Sequence, residues 1–276
     1  NDITEECPDD KKMLLYPFVP VFNLGIDKTW GIAHVDELLN VEYNHDAIRQ
    51  LVIDEDRKDL ILALIQADRK KRSIDDVIEN KSDNMIFMLH GKPGVGKTLT
   101  AEAISEHIEK PLYRISMGDL DMNHLESSLK DIDDLCSDWS AVLLIDEADI
   151  FLEERDLSNM TRNAMVSTFL QFLEYNRNII FLTTNRLQTL DPAIKSRIHM
   201  IIRYPDLIDK NRHQIWKQTL KNWDLCKDEN LLKDLSQIEL NGREILKVCQ
   251  TTMSVLTFKD IEITSDAFLD MAKKCI

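Results

Sequence analysis

The sequence has no apolar run approaching the roughly 20 residues that a membrane-crossing helix needs. Its opening, Asn-Asp-Ile-Thr, has no charged-then-apolar leader. Neither a membrane segment nor a secretory signal is expected, and the stretch reads as a piece of a longer intracellular chain, cytoplasmic or nuclear. Cysteine is sparse and scattered: Cys7, Cys136, Cys226, Cys249 and Cys275 form no Cys-x-x-Cys pair. That argues against a disulfide framework or a zinc site and for reduced, mostly buried thiols. Positive charge is the other shortage. Lys and Arg number 34 against 49 Asp and Glu, a formal net charge of -15, with a pI near 4.9. So acidic a surface repels phosphate backbones at long range, which disfavours nucleic acid as the main partner unless a local basic channel exists. Internal repeats and low-complexity tracts are lacking too.

The remaining composition, 43% hydrophobic and 30% charged over 276 residues, gives room for a sizeable core. Residues 1–31 read as an irregular N-terminal segment, because Pro8, Pro17, Pro20, Gly25 and Gly31 interrupt any long helix. Its aromatics, Tyr16, Phe18, Phe22 and Trp30, suggest a segment that packs on the body. "DEDRKDLILALIQADRKK", residues 54–71, reads as an amphipathic helix with Leu60, Ile61, Leu64 and Ile65 as its apolar stripe. The run Arg69-Lys70-Lys71-Arg72 fits a helix end with favourable cations, or a nuclear-targeting cluster. Residues 32–207 then alternate. Apolar runs at 85–89, 112–116, 141–145, 178–183 and 199–203 look like buried strands, with helical stretches near 97–109, 124–136 and 161–175. Such alternation implies an α/β core, a parallel sheet with helices on both faces. Residues 208–276 turn wholly helical and form a smaller all-α module.

The first strand runs straight into "GKPGVGKT", residues 91–98, which fits G-x-x-x-x-G-K-[ST]. Glycines let backbone N–H groups turn inward around a phosphate chain, and the next helix presents its positive N-terminus to it. Lys97 can reach the terminal phosphates, and the Thr98 hydroxyl is placed to ligate Mg²⁺.

"AVLLIDEADIF" ends an apolar strand in two acids. Asp146 can hold Mg²⁺ and Glu147 can polarise an attacking water, a carboxylate that a pure nucleotide switch does not need. Asp146-Glu147-Ala148-Asp149 also spells the signature of a helicase class. Those enzymes need a second sheet domain and Ser-Ala-Thr after the next strand, whereas this chain has "IIFLTTNR" and a helical C-terminal module. Asn185, just past that strand, could orient the lytic water, or simply form a turn. "LDPAIKSRIHM" delivers Arg197 to the start of the fifth strand, where it suits a neighbouring subunit's γ-phosphate, as an arginine finger in trans, or a surface salt bridge.

Together "GKPGVGKT", "LLIDEAD", "LTTN" and "LDPAIKSRI", in this order, resemble an AAA+ ATPase over residues 32–276. "WGIAHVDEL", "FLTTNRLQTLDPAIKSRIHM" and "LNGREI" are similar to the cores of fungal AAA-type ATPases. The resemblance implies a five-stranded sheet in the order 5-1-4-3-2, a helical lid, and homo-oligomeric rings, usually hexamers, with ATP between subunits. On that pattern Gly91, Lys92, Pro93, Gly94, Val95, Gly96, Lys97, Thr98 and Leu99 bind phosphate. Thr98 and Asp146 serve the metal, Glu147 activates water, Asn185 matches sensor 1 and Arg197 the finger. "NGREI" places Arg243 as a sensor 2 arginine, or as an ordinary helix-start residue. Two departures stand out. Protein-threading members carry two arginines after "LDPA", where this chain has the shorter "KSR", more like clamp loaders. They also carry an aromatic pore-loop residue, where "SMGDLDMNHLESSL" has Met122 and His124 but no aromatic. The expected function is ATP hydrolysis coupled to remodelling of a macromolecular partner, probable substrate protein. The alternatives are an ATP-gated scaffold with little turnover and a clamp-loader-like DNA factor.

Overall fold

The computed structural model describes residues 16–25, 27–71, 84–152, 160–186 and 190–276, in two units, Asn1–Tyr43 and Asn44–Ile276. Cys7, Pro8, Arg72 and the side chains of Arg69, Lys70 and Lys71 lie outside the described residues.

In the first unit, β1 (Phe18–Phe22) pairs antiparallel with β2 (Trp30–His34). The sequence reads as irregular here, with a domain boundary after residue 31 that falls inside β2. The prolines behind that reading are compatible with a hairpin, because both strands are edges and Pro20 can spare its missing N–H. Asn23 N–H donates to Thr29 O at 2.9 Å to close the turn. The aromatics pack on one another: Tyr16 on Phe18 at 5.4 Å, Phe18 edge-on to His34 at 5.2 Å, and Phe22 edge-on to Trp30 at 5.3 Å.

The second unit opens with α1 (Ala47–Gln50) and α2 (Glu55–Lys71). Ile61 and Ile65 of α2 are buried as expected, but Leu60 is 49% exposed while Lys58 is 6% exposed. The buried stripe therefore follows 58, 61 and 65, one residue at i, i+3 and i+7. Lys58 keeps its charge compensated by an ion pair to Glu55 at 2.8 Å.

The core then alternates β3 (Met85–His90), α3 (Lys97–His107), β4 (Leu112–Ser116), α4 (Leu125–Asp138), β5 (Val142–Asp146), α5 (Asp149–Leu152), α6 (Met160–Tyr175), β6 (Ile179–Thr184), α7 (Pro192–Lys195) and β7 (Met200–Arg203). The strands pair in parallel in the order β4-β5-β6-β3-β7, which is the expected 5-1-4-3-2 read from the other edge. Strands covered on both faces read as unbroken apolar runs, and every residue of β5 and β6 is buried. Phe87 and Phe181 stack at 5.0 Å across the β3–β6 pair. The order puts the carboxyl ends of β3, β5 and β6 side by side, and "GKPGVGKT", "LLIDEAD" and "LTTN" sit on those ends.

The C-terminal region is helical: α8 (Asp209–Thr219), α9 (Glu229–Ser236), α10 (Gly242–Phe258) and α11 (Ser265–Cys275). Trp216, Leu232, Ile245, Cys249 and Phe268 are among the residues of its own apolar core. Arg212 is buried and donates to Ser236 O, Leu207 O and Asp209 at 2.7, 2.5 and 2.6 Å, tying α8 to the end of α9. Cys136, Cys226, Cys249 and Cys275 are free thiols. Burial pushes Cys136 up to about 12 and Cys249 to about 11. Among the described residues no helix is long and apolar enough to cross a membrane.

Candidate functional site

The turn after β3 depends on its glycines for separate reasons. Gly94 and Gly96 sit at φ 78° and 102°, a region closed to most L-residues. Gly91 has an ordinary backbone, but a Cβ there would lie 2.7 Å from Tyr204 Cβ and 3.1 Å from the Val95 side chain. Val95 anchors the loop in the core, while Lys92, Pro93 and Leu99 are exposed. Lys92 bonds Asp206 at 2.7 Å.

Lys97, the first residue of α3, is 8% exposed. Its three ammonium donors meet three acceptors: Gly91 O at 2.6 Å, Lys92 O at 2.8 Å and Asn185 Oδ1 at 2.8 Å. Burial pulls the Lys97 pKa down, against the opposing charges of Asp146, Asp149 and Glu147; Arg243 lowers it further. A partly desolvated ammonium in a ring of carbonyls is a ready partner for phosphate oxygens, because its hydration is already lost.

The next residue, Thr98, places Oγ1 3.4 Å from both oxygens of Asp146. Asp146 closes β5. Its Oδ1 accepts from Thr183 Oγ1 at 2.5 Å and its Oδ2 from Arg114 Nη2 at 2.5 Å. Thr183 serves twice, since its Oγ1 also accepts the Glu147 N–H at 2.9 Å, and its carbonyl takes the Ala148 N–H at 2.9 Å. One β6 threonine thus orients both acids. The contacts hold Glu147 at φ 56°, exposed, with its carboxylate free to face solvent. Asp149 fixes the turn beyond β6: it accepts from Thr184 Oγ1 and from the Asn185 N–H at 3.2 Å. Asn185 is thereby aimed at Lys97.

The helical region closes the other side. Asn241 and Glu244 form a reciprocal cap on α10, with bonds of 2.9 and 2.7 Å. The Gly242 N–H at the start of that helix donates to Gly94 O of the phosphate loop at 2.9 Å. A side chain at Gly94 would meet Asn241 Oδ1 at 2.3 Å. Arg243 follows immediately and is felt electrostatically at Lys97.

The structure thus brings together Gly91 to Thr98, Asp146, Glu147, Asn185 and Arg243. Arg197 lies apart, between α7 and edge strand β7, donating to Glu174 at 2.6 Å and to Ala193 O at 2.9 Å. Met122 and His124 follow β4 in a short 3₁₀ turn and line a groove of about 570 Å³ with residues of α4 and α6. The sequence reading missed Thr183, Asp149 and Arg114. The two threonines of "LTTN" and the last acid of "IDEAD" carried a signal, since polar residues closing buried strands need partners. Arg114 carried none.

The family described as ATPase family associated with various cellular activities (AAA) matches residues 87–206. Over those residues the chain is similar to that family. It is 28% identical over 197 residues to the 26S proteasome regulatory subunit 8 of Caenorhabditis elegans, covering 66% of this chain and 47% of that protein. It is 28% identical over 259 residues to the 26S proteasome regulatory subunit 8 homolog of Naegleria fowleri, covering 85% of this chain and 61% of that protein. A putative cell division cycle ATPase of Plasmodium falciparum is 28% identical over 190 residues, 63% of this chain and 15% of that protein. The chain spans about half the length of several of the curated relatives it matches. A 26S proteasome regulatory subunit 8 homolog of Saccharomyces cerevisiae is likewise 28% identical over 202 residues, 66% of this chain and 49% of that protein, so the relatives do not single out a fungal branch.

The residues gathered here fit the groups that a nucleotide site takes. Mg²⁺ is held by hard oxygens, commonly one or two carboxylates plus substrate phosphates, and Thr98 and Asp146 present a hydroxyl and a carboxylate together. The loop turns through the left-handed backbone of Gly94 and Gly96, and a side chain at Gly94 would strike Asn241.

Proposed function

We propose that the chain binds ATP with Mg²⁺ and hydrolyses it, and that hydrolysis in a homo-oligomeric ring remodels a protein partner. The observation that carries this reading is Thr183 between Asp146 and Glu147, beside a Lys97 bonded to Asn185. A protein that only bound nucleotide would have no chemical use for a second, strained carboxylate poised next to the first.

In this reading Gly91 to Leu99 hold the phosphates with backbone N–H groups and the N-terminus of α3. Lys97 exchanges its carbonyl partners for phosphate oxygens. Thr98 and Asp146 would hold the cation, which when bound neutralises charge developing on the phosphates. Glu147 takes a proton from the attacking water, and Asn185 orients that water from the neighbouring strand end. Arg243 carries the state of the site into the helical lid, because it starts the helix whose Gly242 is bonded to the loop. Arg197, at the edge strand, serves the neighbouring copy's site. The relatives named as proteasome regulatory subunits favour protein as the partner class, as does the formal charge of -15 against nucleic acid.

Glu147→Gln tests it. The variant keeps the backbone and size of the side chain, so it is expected to bind ATP as wild type does. Phosphate release should fall by at least ~10². Turnover at the wild-type rate removes Glu147 from the chemistry.

A further inference from the structure

We propose that Arg114 is a positioning residue that sets the Mg²⁺ requirement of the site by competing with the cation for the Asp146 carboxylate. The proposal rests on the reading of Asp146 as the metal carboxylate and adds a residue that neither the phosphate loop nor the acidic motif contains.

Arg114 lies on β4, where it pairs with Leu144, while Ser116 pairs with Asp146. Residues two apart on a strand share a face, so the guanidinium reaches along β4 toward the strand end where Asp146 sits. There Nη2 meets Oδ2 at 2.5 Å. The other oxygen is held by Thr183 at 2.5 Å. Both oxygens of the carboxylate are therefore engaged, one by a hydroxyl fixed in the sheet and one by a mobile-length cationic side chain.

The exposures differ in a way that matters. The Asp146 side chain is 13% exposed and that of Arg114 is 51%. The carboxylate is fixed, and its partner can leave into water without unfolding anything. Arg114 also faces Glu102 of α3: burial raises that carboxyl's pKa, Arg114's charge opposes the rise, and Asp146 adds to it. A cation set between two carboxylates lowers the negative potential that would otherwise draw a divalent ion. While Arg114 holds Oδ2, one of its lone pairs is engaged and the guanidinium charge makes that oxygen a weaker metal ligand. The ion pair's worth is thus subtracted from the metal's apparent affinity.

The experiment measures a fluorescent ADP bound to the full chain while MgCl₂ is titrated against EDTA, reading the free Mg²⁺ at which ADP binding has tightened halfway. No turnover is involved. For Arg114→Gln and Arg114→Met the midpoint should fall about fivefold, which is about 1 kcal/mol of ion pairing. Arg114→Lys keeps the charge and should stay near wild type. Either neutral variant suffices if the other misfolds, and the half-exposed position favours both folding. A midpoint that is unchanged or raised in the neutral variants overturns the proposal, since a residue that merely braced Asp146 would weaken metal binding when lost. Wild-type ADP binding indifferent to Mg²⁺ instead overturns the assignment of Asp146 itself, and with it the proposal.

Discussion

Glu147 shows what a single residue gives up for its place in the site. Its φ of 56° puts an L-residue in the left-handed region, at a cost of about 1–2 kcal/mol. The cost is imposed by two bonds from the backbone of Glu147 and Ala148 to Thr183. Glycine relieves that strain but loses more chain entropy on folding. Glu147→Gly should therefore come out about 0.5–1 kcal/mol more stable than wild type, a rise of about 2 °C in melting temperature, while hydrolysing no ATP. Glu147→Gln retains the strain and should melt with wild type. Thermal melts of the two variants side by side check this; a glycine variant that melts below the glutamine one rules out backbone strain at this position. The role proposed for Glu147 was legible from two acids after an apolar run. Its strain was not, because it is imposed by a threonine on another strand.

Among the elements, α4 is joined to the start of β6 by a small polar cluster. Asp133 accepts from Asn176 Nδ2 at 2.6 Å and from Asn178 Nδ2 at 3.0 Å. Burial and then Asp134 raise the Asp133 pKa, and these bonds only partly offset the rise. For an acid with a raised folded pKa, the contribution to stability is full below the unfolded value and is lost as pH rises through the folded one. At neutral pH the ionised carboxylate is thus a penalty. Asp133→Asn can accept both amide bonds without the charge, so it should melt above wild type at neutral pH. The gap should close as pH falls toward the ordinary carboxylate value of 3.8. Melting curves across that range decide it, and a gap independent of pH would point to packing instead of charge. Sequence reasoning worked best on the elements. β5 and β6 are buried throughout and so are apolar runs in the chain until their polar carboxyl ends, Asp146 and Thr183-Thr184. It did worse where a side chain has two natures: Lys58 is buried through its stem and paired head while Leu60 is exposed. Arg114 lay beyond its reach because "LYRIS" is an unremarkable strand until its pairing with β5 is known.

At the scale of the whole molecule, the proposed machinery is divided between the middle of the sheet and its edge. The phosphate loop, the acids and Asn185 lie on adjacent strand ends, and the α10 start is bonded to the loop. Arg197 precedes β7, the last strand in the order, and is bonded to Glu174. A guanidinium at that edge has two possible jobs, to brace α6 through Glu174 or to complete a neighbouring copy's site. They predict different things. If Arg197 acts in trans, specific ATPase activity rises with protein concentration. Arg197→Ala then loses about 10³ in turnover with nucleotide affinity unchanged, and doping it into wild type slows the mixture more than dilution does. Glu174→Gln breaks the same ion pair from the other side and leaves the guanidinium in place, so it should retain most of its turnover. If the brace is the whole of its role, the two variants lose stability alike, and activity per molecule stays flat as the protein is diluted. Steady-state phosphate release over a dilution series of wild type, Arg197→Ala and Glu174→Gln separates these cases. Flat activity with equal behaviour of the two variants would end the claim that assembly and hydrolysis are one process here.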